Sequence, residues 1–129
     1  MNRIVTVGIL VFFLLAGALA QPPQESVKLD VLSKKRGESA SLTHDLMEFK
    51  IKITNQARKP LPFTNNRFVL TDDQGEHYLV SRGWYPQGKQ LKPGESAEID
   101  RVFFEIPKKR KAASITLMFR RIPLGTAKL

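Results

Sequence analysis

Few residues in this chain are of a type that does chemistry, and their spacing decides against most of it. His44 sits beside Asp45 and His77 a few residues after Asp72, so either histidine, with a serine, supplies the parts of a hydrolytic triad. No serine stands in a Gly-x-Ser-x-Gly elbow, the strained turn that exposes a nucleophile, and short β-sandwiches rarely enclose a cleft. No catalytic residue is therefore expected, and the chain reads as a non-enzyme. His44, Met47 and Met118 would offer copper a soft nitrogen and sulfur set. A strand methionine more often fills a core. Asp72, Asp73 and Glu76 would offer oxygens to calcium, but without the alternate-ligand spacing of a calcium loop. Neither a metal nor another cofactor is expected.

Two stretches remain as candidates for binding. Lys108-Lys109-Arg110-Lys111 places four adjacent cations between two strand-like segments, where a basic hairpin tip is expected, with Arg120 and Arg121 extending the patch from the next strand. Near an acidic membrane each such charge contributes about 1 kcal/mol. Arg82-Gly83-Trp84-Tyr85-Pro86 sets two aromatics on a long loop. Trp84 suits a plug over the open end of a sandwich, and Tyr85 suits an exposed contact. The candidate binding residues are thus Arg82, Trp84, Tyr85, Lys108, Lys109, Arg110 and Lys111.

These loops need a frame, and composition limits what it is. The chain has 129 residues, no cysteine and a formal net charge of +9. Without disulfides or thiolate metal sites, an apolar core must hold it together. Met1-Asn2-Arg3, an apolar run from Ile4, and Ala18-Leu19-Ala20 form the n-region, h-region and cleavage site of a secretory signal peptide. Residues 1–20 are read as a cleaved leader, 21–25 as a Pro-rich linker, 26–122 as one domain and 123–129 as a tail. A soluble periplasmic or secreted protein follows. The charge then favours anionic partners such as lipid headgroups or polysaccharide, or an acidic protein, and the compartment argues against nucleic acid.

The domain reads as strands throughout. Val27, Leu29 and Val31 alternate with polar neighbours, and Lys34-Lys35-Arg36-Gly37-Glu38 is expected to break that strand as a charged loop. Met47, Phe49, Ile51 and Ile53 alternate with Glu48, Lys50, Lys52 and Thr54, which implies an antiparallel sheet with one dry face. Phe68-Val69-Leu70 and Tyr78-Leu79-Val80 flank Asp72-Asp73-Gln74-Gly75, a type I turn signal. Lys92-Pro93-Gly94-Glu95 marks another turn. After it, Ala97 and Ile99 share one parity while Val102, Phe104 and Ile106 share the other, so a β-bulge is predicted at Asp100-Arg101. Ile115, Leu117 and Phe119 alternate in what reads as the last strand. About seven short strands, with no helix, predict an all-β, immunoglobulin-like antiparallel sandwich sealed by Phe, Ile and Leu layers.

The order Phe49-x-Ile51-x-Ile53-x-Asn55, Phe68-x-Leu70-x-Asp72-x-x-Gly75-x-x-Tyr78, Leu91-x-Pro93-Gly94-Glu95-Ser96 and Val102-x-Phe104-Glu105-Ile106-Pro107 resembles a bacterial family. Its members are secreted and lipoprotein immunoglobulin-like domains of unknown function, sometimes labelled telomeric-repeat-binding-factor-like (DUF4352-type). The resemblance covers residues 43–120 and implies a fold and an extracytoplasmic location but no chemistry. This chain departs from that family in lacking a lipid-attachment cysteine and in being more basic. The Leu91-x-Pro93-Gly94-Glu95 turn before a late strand also resembles bacterial proteinase-inhibitor domains. The expected function is a binding or accessory module recognising a protein or an anionic envelope component through its loops, with inhibition of an extracytoplasmic protease as the alternative.

Overall fold

Strand His44–Asn55 (β2) is the centre of one sheet, and its alternation is the reason. Phe49, Ile51 and Ile53 are fully buried on one face, while Lys50 and Lys52 meet water on the other. The computed structural model describes residues 25–63, 66–81 and 90–129. The leader and almost all of the linker lie outside the described residues, as does the aromatic loop with Arg82, Trp84 and Tyr85.

Strands Val27–Glu38 (β1) and Ser96–Pro107 (β7) flank β2 in a three-stranded antiparallel sheet, ordered β1-β2-β7. Asn66–Asp72 (β4), His77–Leu79 (β5), Ala112–Phe119 (β8) and Ile122–Lys128 (β9) form the facing sheet, ordered β5-β4-β8-β9. The short strands Leu61–Pro62 (β3) and Gln90–Leu91 (β6) pair with each other at one end. This is an immunoglobulin-like antiparallel β-sandwich, as the alternation predicts. Phe49, Phe104, Ile99, Val102 and Ile106 from one sheet meet Phe68, Leu70, Ile115 and Leu117 from the other, all fully buried. The rings of Phe49 and Phe104 pack edge to face, 5.9 Å apart at 73°, a geometry that aligns ring edge with ring face electrostatically.

The predicted bulge is present. Phe49 pairs with Val102 and Ile51 with Ile99, so Asp100 and Arg101 together oppose Lys50 alone. Arg101 takes the strain of the extra residue at φ 60°, and the parity change brings Ile99 and Val102 into one core. Both turns also form as read. The Gly75 amide donates to the Asp72 carbonyl at 3.2 Å with Gly75 at φ 87°. The Glu95 amide donates to the Lys92 carbonyl at 2.9 Å with Gly94 at φ 83°.

Three expectations are corrected. The charged run 34–38 is no loop, because β1 continues through it, pairing Lys35 with Glu48 and Glu38 with Asp45. Residues 32–38 are exposed along this outer strand, held by the ladder and by the polar contacts of Arg36, so no apolar alternation is needed. Residues 123–129 are no tail. They lie largely within β9, which pairs with β8 and carries an extra residue at Leu124, so Leu124 and Gly125 are both buried in succession. Lys108–Lys111 is no hairpin tip, because β7 pairs with β2 while β8 pairs with β4 and β9. The four residues carry the chain from one sheet to the other.

Candidate functional site

The register gives the sandwich two ends. His44, Pro107, Asp72, Ala112 and Ser114 lie at one, and Asn55, Ser96, Asn66, Phe119 and Ile122 at the other. The eight residues of β8 separate them by roughly 25 Å.

At the Pro107 end the basic segment is braced from within. Arg36 donates from Nε to Asp45 Oδ2 at 2.9 Å. It also donates to the carbonyls of Arg110 (2.7 Å), Pro107 (3.1 Å) and Lys108 (3.1 Å). Lys108 Nζ reaches Asp45 Oδ1 at 2.8 Å. The hydrogen bonds from Lys108 and then Arg36 hold the Asp45 carboxyl below its usual range. Arg110 turns inward and donates to Asp72 Oδ2 at 2.7 Å.

Asp72 is the hub that sequence reading missed, with 2 % of its surface exposed. Its Oδ2 also accepts from the Tyr78 hydroxyl at 2.7 Å, and Oδ1 accepts from the amides of Gln74 (2.8 Å) and Glu76 (2.9 Å). Burial pushes the carboxyl up, but the donors from Tyr78, Glu76, Gln74 and Arg110 outweigh it and hold it well below the ordinary range. The matching effect raises Tyr78, first through its bond to Asp72 and then through burial. The signal was present as Asp-x-x-Gly-x-x-Tyr. Its cation comes from 38 positions away.

Of the four basic residues in this segment, Lys108 and Arg110 therefore have carboxylate partners. Lys109 and Lys111 have no ion pair among the described residues, although the Lys111 amide donates to Asp73 Oδ1 at 3.2 Å. Arg120 and Arg121 do not extend the segment. They form the β8–β9 turn at the opposite end, with the Arg120 guanidinium 5.4 Å from the Phe119 ring centroid and Arg120 at φ 57°.

Neither the triad nor the copper set is assembled. The His44 and His77 Nδ1 atoms hydrogen-bond to Thr43 (2.8 Å) and Thr71 (2.9 Å), while Asp45 and Asp72 are held by cations. Met47 is in the core, whereas Met118 lines the outer face of the four-stranded sheet. That outer face carries a shallow cavity of about 450 Å³ lined by Val69, Leu79, Thr116 and Met118, with His77 also in its wall. The outer face of the other sheet holds Lys50 against Glu98 (3.2 Å) and Asp100 (3.6 Å).

The Asn55 end carries a second group of cations. Arg58 and Lys59 follow β2, Lys92 is in the turn before β7, Arg67 opens β4, and Arg120 and Arg121 form the β8–β9 turn, all six exposed. No ion pair involves any of them among the described residues. Buried Asn55, 1 % exposed, joins two of these segments by donating from Nδ2 to the carbonyls of Lys59 and Leu91, both at 2.9 Å. The nearby carboxylates of Glu95 and Glu25 accept from the amides of Lys92 (2.8 Å) and Thr126 (3.1 Å).

The fold is shared with solved structures. The chain is similar to an ApaG protein from Pseudomonas aeruginosa, with a TM-score of 0.55 at 20 % identity over 78 % of this chain and 99 % of that one. It is also similar to MPT63, a secreted protein from Mycobacterium tuberculosis, with a TM-score of 0.52 at 12 % identity over 80 % of this chain and 82 % of that one. An uncharacterized β-sandwich protein from Clostridium difficile gives a TM-score of 0.48 at 10 % identity over 84 % and 88 % of the two chains. No protein-family model matches the chain. No curated protein matches it.

Proposed function

We propose that this protein is a non-enzymatic binding module that acts outside the cytoplasm and recognises an anionic component of the cell envelope. The observation that carries this reading is the excess of positive charge at the Asn55 end, where six exposed cations with no ion pair among the described residues outnumber the carboxylates of Glu25 and Glu95. Like charges placed together oppose folding slightly, so an anionic ligand that neutralises them gains that repulsion back. The leader-type N terminus supports the location, as does the likeness in fold to secreted MPT63. The family reading, a secreted immunoglobulin-like domain of unknown function, is consistent with both.

Binding to a soluble polyanion such as polyphosphate tests this reading. Affinity is expected to fall steeply between low and physiological salt, where the Debye length shortens to ~8 Å. Arg120→Glu with Arg121→Glu is expected to weaken it by about tenfold or more. Lys108→Glu is expected to weaken it less, because Lys108 already has Asp45. Binding indifferent to salt and to the arginine pair would remove the proposal.

One observation favours a second reading, inhibition of an extracytoplasmic protease. Leu42 is 93 % exposed on a loop braced by its own hydroxyls. Ser39 Oγ donates to the His44 carbonyl at 2.8 Å, and the amides of Ser41 and Thr43 donate to Ser39 Oγ (3.0 Å) and Ser41 Oγ (3.2 Å). A braced loop presenting an apolar side chain loses little entropy on entering a protease pocket. Stoichiometric protein is then expected to slow a protease that prefers leucine, and Leu42→Asp to abolish the effect. A panel in which no protease is slowed disposes of this reading.

A further inference from the structure

We infer that the Asn55 end seats on an anionic phospholipid bilayer, with Ile122 entering the headgroup layer from the tip of the β8–β9 turn. This rests on the anion-binding reading above and adds the class of ligand and the residue that distinguishes it.

Shape is the first argument. A discrete small anion needs a concave site where donors converge. The cations here stand on four separate segments, the β2–β3 connection, the start of β4, the turn before β7 and the β8–β9 turn. Charge spread over four segments is matched by a surface of many phosphates, each meeting one side chain. Four of the six cations are arginines, whose planar guanidinium meets phosphate oxygens two at a time.

Ile122 is the second argument. It follows Arg120 and Arg121 directly and is 59 % exposed, although it pairs with Phe119 in the ladder. More than half of this large β-branched side chain stands in water beside two arginines, and burial of that surface in the headgroup layer, at its boundary with the acyl chains, is favourable. The turn is held for this. Arg120 is in the left-handed region at φ 57° with its guanidinium over Phe119, so Ile122 is presented on a fixed base.

The test is co-sedimentation of the leader-free chain, residues 21–129, with vesicles, beside binding to soluble polyphosphate. Vesicles of phosphatidylglycerol with phosphatidylcholine are expected to capture the protein in a salt-dependent way, and pure phosphatidylcholine to capture none. Ile122→Ser is expected to lower capture by about tenfold while leaving polyphosphate binding unchanged. Ile122→Trp is expected to raise capture and to show a blue-shifted emission with anionic vesicles, and it decides the matter if the serine variant is unstable. If both variants are captured like the parent while polyphosphate still binds, the bilayer inference falls and the anion-binding reading stands. If neither vesicles nor polyphosphate bind, both fall.

Discussion

Replacing Asp72 with alanine is expected to lower Tm by roughly 10 °C or more, because it strips the acceptor from four donors at once. Arg110, the Tyr78 hydroxyl and the amides of Gln74 and Glu76 all point at that carboxylate, and the site is closed to water. Asp72→Asn keeps an acceptor and the shape, so it is expected to lose less at neutral pH. The two also separate on acidification. The folded state holds the Asp72 carboxyl below its value in the unfolded chain, about 3.9. Its contribution is therefore complete above that value and is lost as pH falls toward the lower folded value. Asp45, lowered by Lys108 and Arg36, adds a contribution of the same sign. The parent protein should lose Tm steadily below about pH 4, and Asp72→Asn should show a shallower slope over the same range. Equal slopes measured by calorimetry would mean that the hub does not govern acid stability.

Gly125→Val is expected to cost about 3 kcal/mol in chemical denaturation, at the upper end of ordinary overpacking. A Cβ at position 125 would clash with the Val27 carbonyl oxygen and stand 2.7 Å from Val27 Cγ2. The obstacle includes backbone, so a rotamer change cannot relieve it and β9 must move off β1. Gly37→Ala is the control. It has nothing within 4 Å of the new Cβ and lies in the exposed half of β1, so its effect should stay within about 0.5 kcal/mol. Equal midpoints for the two variants would refute the close approach of β9 to β1.

The parts of the fold legible in the sequence are those where one face of a strand is dry. Alternation marks β2, and the parity change between Ile99 and Val102 locates the bulge at Asp100–Arg101, where the register shifts. Asp72 and Gly75 marked a turn, and Pro93–Gly94 marked another. Where that signal lapses, the reading lapsed too. The second half of β1 has no dry face to alternate against, so its charges read as a loop. In β9, Pro123, the extra Leu124 and Gly125 break the period that would have announced a strand. The candidate site was less legible. Four neighbouring cations looked like one patch, but Lys108 and Arg110 are held by Asp45 and Asp72, which are 63 and 38 positions away.

Composition and alternation alone determined an all-β, cysteine-free sandwich closed by Phe, Ile and Leu, because burial of every second side chain is a local property of each strand. Which cations are neutralised and which remain free was decided only by tertiary structure. An ion pair depends on distance in space, and the crossing from β7 to β8 brings Arg110 to Asp72 while sending Arg120 and Arg121 to the other end.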